Sequence, residues 1–338
     1  TLSLGNGSGN SDVYKIEEAS EGYVLKYYDE GENPEILWQI NNSTNSGLSE
    51  TELKEKLQQV EGDAFIDSNG NIFDTDIYDT RIVDEESFSL YGDYYTGNSY
   101  HGNIIDGNLE YEIPIYLKQD GKIYKLTEIG DYAFSWQNEL MNISIPDSVT
   151  LIGENAFENC KKLVSVTIPQ TVTLVERSAF YGCDNLIDIT ILNGETILEE
   201  SVFQETAWYN AQPDGLVYIG EILYEYKGEM AENTKISIKE GTKQISYSVF
   251  ASEYNLIDVK IPNTVKIIGE RAFSSCDGLT NITIPDSVTS IGNSAFAVCN
   301  GLTSINIPSS VTTIGEGIFD GCKNVTNMSV DANNKYYD

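Results

Sequence analysis

One histidine, His101, occurs in 338 residues. It sits in Tyr100-His101-Gly102-Asn103, a loop-like setting. Any Ser-His-Asp triad would have to be built on that residue, so triad chemistry is not expected. A zinc site needs nitrogen or sulfur ligands gathered locally, and the sequence holds no such cluster. No run of 18 apolar residues exists, which excludes a membrane-spanning helix of ordinary length. Basic residues are scarce, 20 against 53 acidic, for a net charge of −33. Nucleic acid is therefore excluded as a partner, because a phosphate backbone needs lysine and arginine contacts. Anionic membrane surfaces are excluded for the same reason.

The acidity is uneven. Residues 1–120 hold 25 acidic and 6 basic residues, and residues 121–338 hold 28 and 14. A solvated acidic surface accounts for this, with divalent-cation binding as the sharper alternative. Asp67-Ser68-Asn69-Gly70-Asn71 has the look of a calcium loop, but the sixth and twelfth positions hold Ile72 and Tyr78 instead of glycine and glutamate. A hairpin turn is the better reading. No pair of carboxylates is singled out for glycoside hydrolysis, and no cofactor or metal site is expected. The chain opens Thr1-Leu2-Ser3 without an initiator methionine or a signal-peptide pattern, so a mature or trimmed form is expected, its export signal out of view.

What is present is a repeat. Ile-Pro pairs fall at Pro146, Pro169, Pro262, Pro285 and Pro308, and phenylalanines at Phe134, Phe157, Phe180, Phe203, Phe250, Phe273, Phe296 and Phe319. The step is 23 from Pro146 to Pro169 and from Pro262 to Pro308, and the phenylalanines keep it throughout except for a step of 47 between Phe203 and Phe250. The clearest unit carries Ile291, Gly292, Ala295, Phe296, Cys299, Leu302, Ile305, Ile307, Pro308 and Val311. Ile305-x-Ile307 has the period of two of a strand, and Pro308 ends it for want of an N–H. Gly292 suits a tight bend, and the Ala-Phe segment is long enough for one helical or 3₁₀ turn. One unit cannot hide its own apolar face, but stacked units can, with each strand joining a continuous parallel sheet. Cys160, Cys183, Cys276, Cys299 and Cys322 all lie three residues after a repeat phenylalanine. That equivalence makes them stacked core thiols rather than nucleophiles or ligands.

These residues resemble the BspA-type, or treponemal-type, leucine-rich repeat of surface proteins, over about 123–330. The resemblance implies an α/β repeat fold, a right-handed curved leucine-rich-repeat solenoid of 23-residue units. It also implies secretion or surface anchoring, and adhesion to host or bacterial partners.

Three segments depart from the pattern. Residues 1–97 lack the period and are expected to form a small acidic α+β or mostly β module. Strands are expected near 13–16 and 23–28, with a helix after the capping box Ser49-Glu50-Thr51-Glu52 that carries Leu53, Leu57 and Val60 on one face. Residues 98–126 are expected to cap the solenoid with a hairpin of 111–117 and 122–126 around Gln119-Asp120-Gly121. The solenoid, 127–338, carries an expected β-hairpin insertion at about 207–232, and its strand near Ile236-Ser237-Ile238-Lys239 has lost its proline. Residues 331–338 resemble the lead into a further unit, so a continuation is expected.

The expected function is a non-catalytic secreted or cell-surface binding protein. Its partner is expected to be a host or bacterial surface protein or an extracellular-matrix component. A structural spacer, or an enzyme active in residues 1–97 or outside this sequence, are the rivals. Outward strand positions form one row of Asn142, Ser165, Asp188, Lys235, Asp258, Asn281 and Ser304. A second row runs through Ser144, Thr167, Thr190, Ser237, Lys260, Thr283 and Asn306. The candidate partner site is Asp188, Lys235, Asp258 and Lys260, flanked by Trp208, Tyr209, Tyr218, Tyr224 and Tyr226 of the insertion. The same aromatics equally suit a covering for the core where a unit is altered.

Overall fold

The computed structural model describes residues 48–67, 70, 72, 80–92 and 113–337, and elsewhere only the backbone of certain strands. His101, Ser68, Asn69 and Tyr78 lie outside the described residues. Two compact units are present, residues 1–53 with 68–70 and residues 54–67 with 71–338. In the first, strands Leu2–Ser3, Val13–Ala19, Gly22–Tyr28 and Glu35–Asn41 pair antiparallel in chain order. The helix Glu50–Gln58 opens on the expected capping box. The Ser49 N–H donates to Glu52 Oε2 at 2.7 Å, and the Glu52 N–H donates to Ser49 Oγ at 3.3 Å.

The second unit is a solenoid of 23-residue turns, most of them with strands at two places. Long strands Glu110–Glu112, Asn142–Ser144, Ser165–Ile168 and Asp188–Ile191 pair in parallel. Short strands form a second sheet that the Ile-Pro spacing did not reveal. Lys122–Ile129, Leu151–Ile152, Leu174–Val175 and Ile197–Leu198 pair in sequence on one side of the insertion. Gln244–Ile245, Ile267–Ile268, Ser290–Ile291 and Thr313–Ile314 do so on the other. The long strands do not form the continuous sheet that the repeat predicts. Past Ile191 it resumes only as the pair Thr234–Ser237 with Leu256–Lys260, and then Ser304–Ile307 with Asn327–Val330. Prolines follow long strands as expected, except Pro285, which follows a segment with no strand, and each closes a turn by accepting the N–H three residues on, as in Pro308 O with Val311 at 3.3 Å.

Each unit buries one phenylalanine on the next. Phe134, Phe157 and Phe180 are stacked with centroids 5.1 and 4.9 Å apart, and Phe273 and Phe296 are 5.4 Å apart. The Ala-Phe segment is not the helical or 3₁₀ turn expected. Left-handed residues stand two before and two after every repeat phenylalanine, for example Asn155 (φ 55°) and Asn159 (φ 56°) about Phe157, and Ser294 and Val298 about Phe296. Alternating left- and right-handed residues point successive N–H groups in two directions. Asn155, Phe157 and Asn159 donate to Arg177, Ala179 and Tyr181 of the next unit, while Ala156, Glu158 and Cys160 donate three residues back. Every backbone donor in this stretch is thus satisfied without a helix. Gly292 is not bent as expected either. A Cβ there would stand 2.4 Å from the Glu270 nitrogen, so glycine serves close approach between units rather than a positive φ.

The solenoid's first end is covered by a mixed sheet. Tyr116–Gln119 and Lys122–Ile129 form a hairpin turning on Asp120 (φ 50°) and Gly121 (φ 77°), both left-handed as a two-residue turn requires. The strand expected at 111–117 is two strands, because Pro114 has no N–H and breaks it. Its first half, Glu110–Glu112, joins the long-strand sheet instead. Ala64–Ile66 pairs with Tyr116–Gln119, and Ser87–Tyr91 pairs in parallel with Lys122–Ile129, so this sheet crosses position 97 of the chain. Around Asp67, strands Ala64–Ile66 and Ile72–Phe73 pair antiparallel.

Candidate functional site

The insertion begins where one unit loses its long strand. Thr206, at the position a cysteine holds elsewhere, caps the short helix Ala207–Asn210 by accepting the Tyr209 N–H at 3.0 Å. Gly215–Ile219 then pairs antiparallel with Ile222–Lys227. Side chains alternate along the strands, and a β-bulge at Tyr224, where the register shifts between Val217 and Tyr218, offsets the alternation, so that each face of this hairpin meets a different half of the solenoid. Val217, Ile219, Ile222 and Tyr224 join the core that holds Phe203, whereas Leu223 belongs to the core that holds Phe250, with Leu216, Tyr218 and Tyr226 packed against it. The hairpin is a partition between two hydrophobic cores, not a surface flap.

The five aromatics follow from that placement. Tyr224 is only 5% exposed, and its hydroxyl accepts the Phe203 N–H at 2.9 Å. It is part of the core and is closed to a partner, contrary to its expected role at the surface. Trp208 and Tyr209 are half-buried against the same core, Trp208 edge-on to Phe203 and to Tyr224. Tyr226 is half-buried 6.3 Å from Phe250, and Tyr218 accepts the Lys239 N–H at 3.1 Å.

Lys227, which the sequence did not single out, ties this region together. Its ammonium donates to the carbonyls of Tyr209, Asn210 and Gln212 at 2.9, 3.3 and 2.8 Å, and lies 4.8 Å from the centre of the Tyr209 ring. It satisfies the carboxyl end of the short helix. Tyr209 donates to Glu225 Oε1 at 3.0 Å. Burial raises the Glu225 carboxyl above the usual range, and burial beside that carboxylate pushes the Tyr209 phenol up to about 12.

The four candidate charges lie elsewhere. Asp188, Lys235, Asp258 and Lys260 are all exposed on the long strands. Register sets Lys235 beside Asp258 and Ser237 beside Lys260, while Asp188 ends the preceding sheet. The structure therefore groups three of the four and separates them from the half-buried aromatics in character. Among the described residues, none of the four makes a side-chain hydrogen bond or ion pair. The thiols, in contrast, are spent. Cys160, Cys183, Cys276 and Cys299 are buried, Cys322 is half-buried, and each donates to the carbonyl of the preceding unit's phenylalanine, as Cys299 does to Phe273 at 2.9 Å. Desolvation pushes Cys299 up to about 12. Among the described residues no three metal-ligating side chains gather, and no helix is long and apolar enough to cross a membrane.

Comparison with known proteins agrees with this architecture. The chain is similar to a leucine-rich cell surface protein from Faecalibacterium prausnitzii, at 21% identity over 77% of this chain and 94% of that one, with a TM-score of 0.31. It is similar to the leucine-rich repeat protein of T. pallidum, at 21% identity over 75% and 90%, TM-score 0.31. The pneumococcal vaccine antigen PcpA matches at 16% identity over 77% and 81%, TM-score 0.36. At these scores the likenesses carry no argument of their own. No curated protein matches the chain. The family model for the BspA type leucine rich repeat region matches six copies, over residues 127–226 and 243–338. The chain therefore belongs to the BspA-type leucine-rich-repeat family.

Proposed function

We propose that this chain is a non-catalytic secreted or cell-surface binding protein, and that it recognises a protein partner through the long-strand face of its solenoid. The observation that carries this reading is the set of unspent charges. Asp188 stands exposed at the end of one long-strand sheet and Lys235, Asp258 and Lys260 on the next, and none is committed to a side-chain partner among the described residues. Preorganised charges of both signs give specificity to a complementary surface and speed encounter. Partners of this class are host or bacterial surface proteins and extracellular-matrix proteins. Of the aromatics, Trp208, Tyr209, Tyr218 and Tyr226 keep some exposed surface, and Tyr224 does not. The test is surface plasmon resonance of the chain against immobilised extracellular-matrix proteins, with a variant in which all four charges are serine. A wild-type signal lost in that variant supports the reading. A signal unchanged in a folded variant removes this face from consideration.

A further inference from the structure

A groove of about 600 Å³ lies along the short-strand sheet, on a different sheet from the charges just described. It spans the insertion, with Ile197 and Leu198 on one side and Gln244, Ile267 and Ile268 on the other. Its size is within the range of ligand sites.

Three independent features of the groove point to an occupant. The first is Gln244. It is 1% exposed, it lines the groove, and its Oε1 has no partner, while its amide nitrogen donates to Ser246 Oγ at 3.1 Å. In its own sheet the same register position is held by Ile222, Ile267, Ser290 and Thr313, so no other side chain there carries an amide. A buried polar end left unpaired costs free energy unless something meets it. The second is an unpaired backbone edge. Ile197–Leu198 is the last strand of its sheet, with no strand paired on its outer side among the described residues, and Ile197 is 44% exposed. Such an edge is a template for an added strand.

The third is charge. Four carboxylates, Glu154, Glu199, Glu200 and Glu270, face two guanidiniums, Arg177 and Arg271. Both arginines are already engaged, Arg177 with Glu154 and Arg271 with the Tyr247 hydroxyl at 3.1 Å. Glu199 accepts the Arg177 backbone N–H at 3.1 Å and Glu200 makes no direct pair, so these two exposed carboxylates set the sign of the groove. The whole chain, at −33, adds a field of the same sign.

We propose that this groove binds an extended peptide segment carrying basic side chains. The peptide backbone pairs with the outer edge of Ile197–Leu198 and supplies the missing partner of Gln244. Alternate side chains turn to opposite sides, basic ones towards Glu199 and Glu200 and apolar ones towards Ile197 and Ile267. A neutral glycan offers hydroxyls to Gln244 but gains nothing from the excess charge and has no backbone to pair with a strand edge. The site stands whether or not the long-strand face binds a partner.

The test uses fluorescence anisotropy with the full chain and a labelled hexapeptide alternating lysine and valine. Spermidine, of the same charge without a backbone, and a neutral maltohexaose serve as competitors. Glu199→Gln with Glu200→Gln is compared with Glu232→Gln with Glu240→Gln, an equal loss of charge at exposed positions outside the groove. Gln244→Leu puts an apolar side chain of similar size at a register that already takes Ile222 and Ile267, which keeps the fold while deleting the amide. The groove pair is expected to weaken binding about tenfold and the outside pair less than about twofold. Gln244→Leu is expected to weaken it with unchanged thermal unfolding. Equal loss in both glutamate pairs, displacement by equimolar spermidine or by maltohexaose, or no binding by the wild type would each overturn the proposal.

Discussion

The backbone N–H of Phe203 donates to the phenol oxygen of Tyr224 at 2.9 Å. In other units the phenylalanine N–H goes to a backbone carbonyl of the next unit, Phe157 to Ala179 and Phe180 to Val202. At the insertion the next unit has no equivalent carbonyl, and a side chain from the hairpin replaces it. Replacing Tyr224 with Phe keeps the ring and strands the buried N–H, at a cost of about 1–3 kcal/mol. Hydrogen exchange at Phe203 should accelerate while exchange at Phe296 does not. Equal protection at Phe203 in the variant would falsify the account of this bond.

The thiols offer a chemical test of the core. Desolvation raises Cys160, Cys276, Cys299 and Cys322, so little reactive thiolate exists near neutral pH. Cys322 is expected to react first with a thiol reagent, because it alone is half-buried, and the other four only after denaturant. Equivalent side chains in stacked units point the same way, which opposes disulfides. Two disulfides in a non-reducing peptide map would overturn this.

Phe296→Ala removes one rung of the stack between Phe273 and Phe319. The expected cost is about 3–5 kcal/mol. Because units contact only their neighbours, and the hairpin separates two cores, the loss should be confined to residues beyond Leu223. Exchange protection that drops equally around Phe157 and Phe273 would contradict a divided core.

Glu225 predicts a pH dependence of defined sign. Burial raises its folded pKa above 4.5, outweighing bonds from Tyr209 and Gln204 and the charge of Lys227. The folded state then holds its proton more tightly than the unfolded state, so this stabilisation is full below the unfolded value and is lost as pH rises through the folded one. Glu158, Glu176 and Glu253 shift in the same direction for the same first cause. Glu225→Gln keeps an acceptor for Tyr209 and removes the charge. The variant should gain on the wild type in denaturant midpoint as pH goes from about 4 to about 7. A constant difference across that range would count against a raised carboxyl.

Much of the scaffold was legible in the residues. Phe134 to Phe203 and Phe250 to Phe319, spaced by 23, imply stacked rings, and the Asp120-Gly121 and Gly220-Glu221 turns mark two hairpins. The left-handed residues about each phenylalanine were not legible. Asn155 and Gly182 suit that conformation, but Trp136, Glu205 and Val298 occupy it with no local preference to announce it. Hydrogen bonds to the next unit hold them there. The candidate site divided in the same way. The exposure of Lys235, Asp258 and Lys260 followed from strand alternation, but the fate of the five aromatics did not.

The sequence by itself determined the repeat, its length, the buried phenylalanines and the outward polar rows, because a side chain recurring every 23 residues meets its own equivalent when units stack. The tertiary structure alone decided that Tyr224 faces one core and Tyr226 is packed against the other, and that Gln244 is buried with one end unpaired. Those outcomes depend on which unit lies against the hairpin, a relation between chain segments distant in sequence that no local pattern encodes.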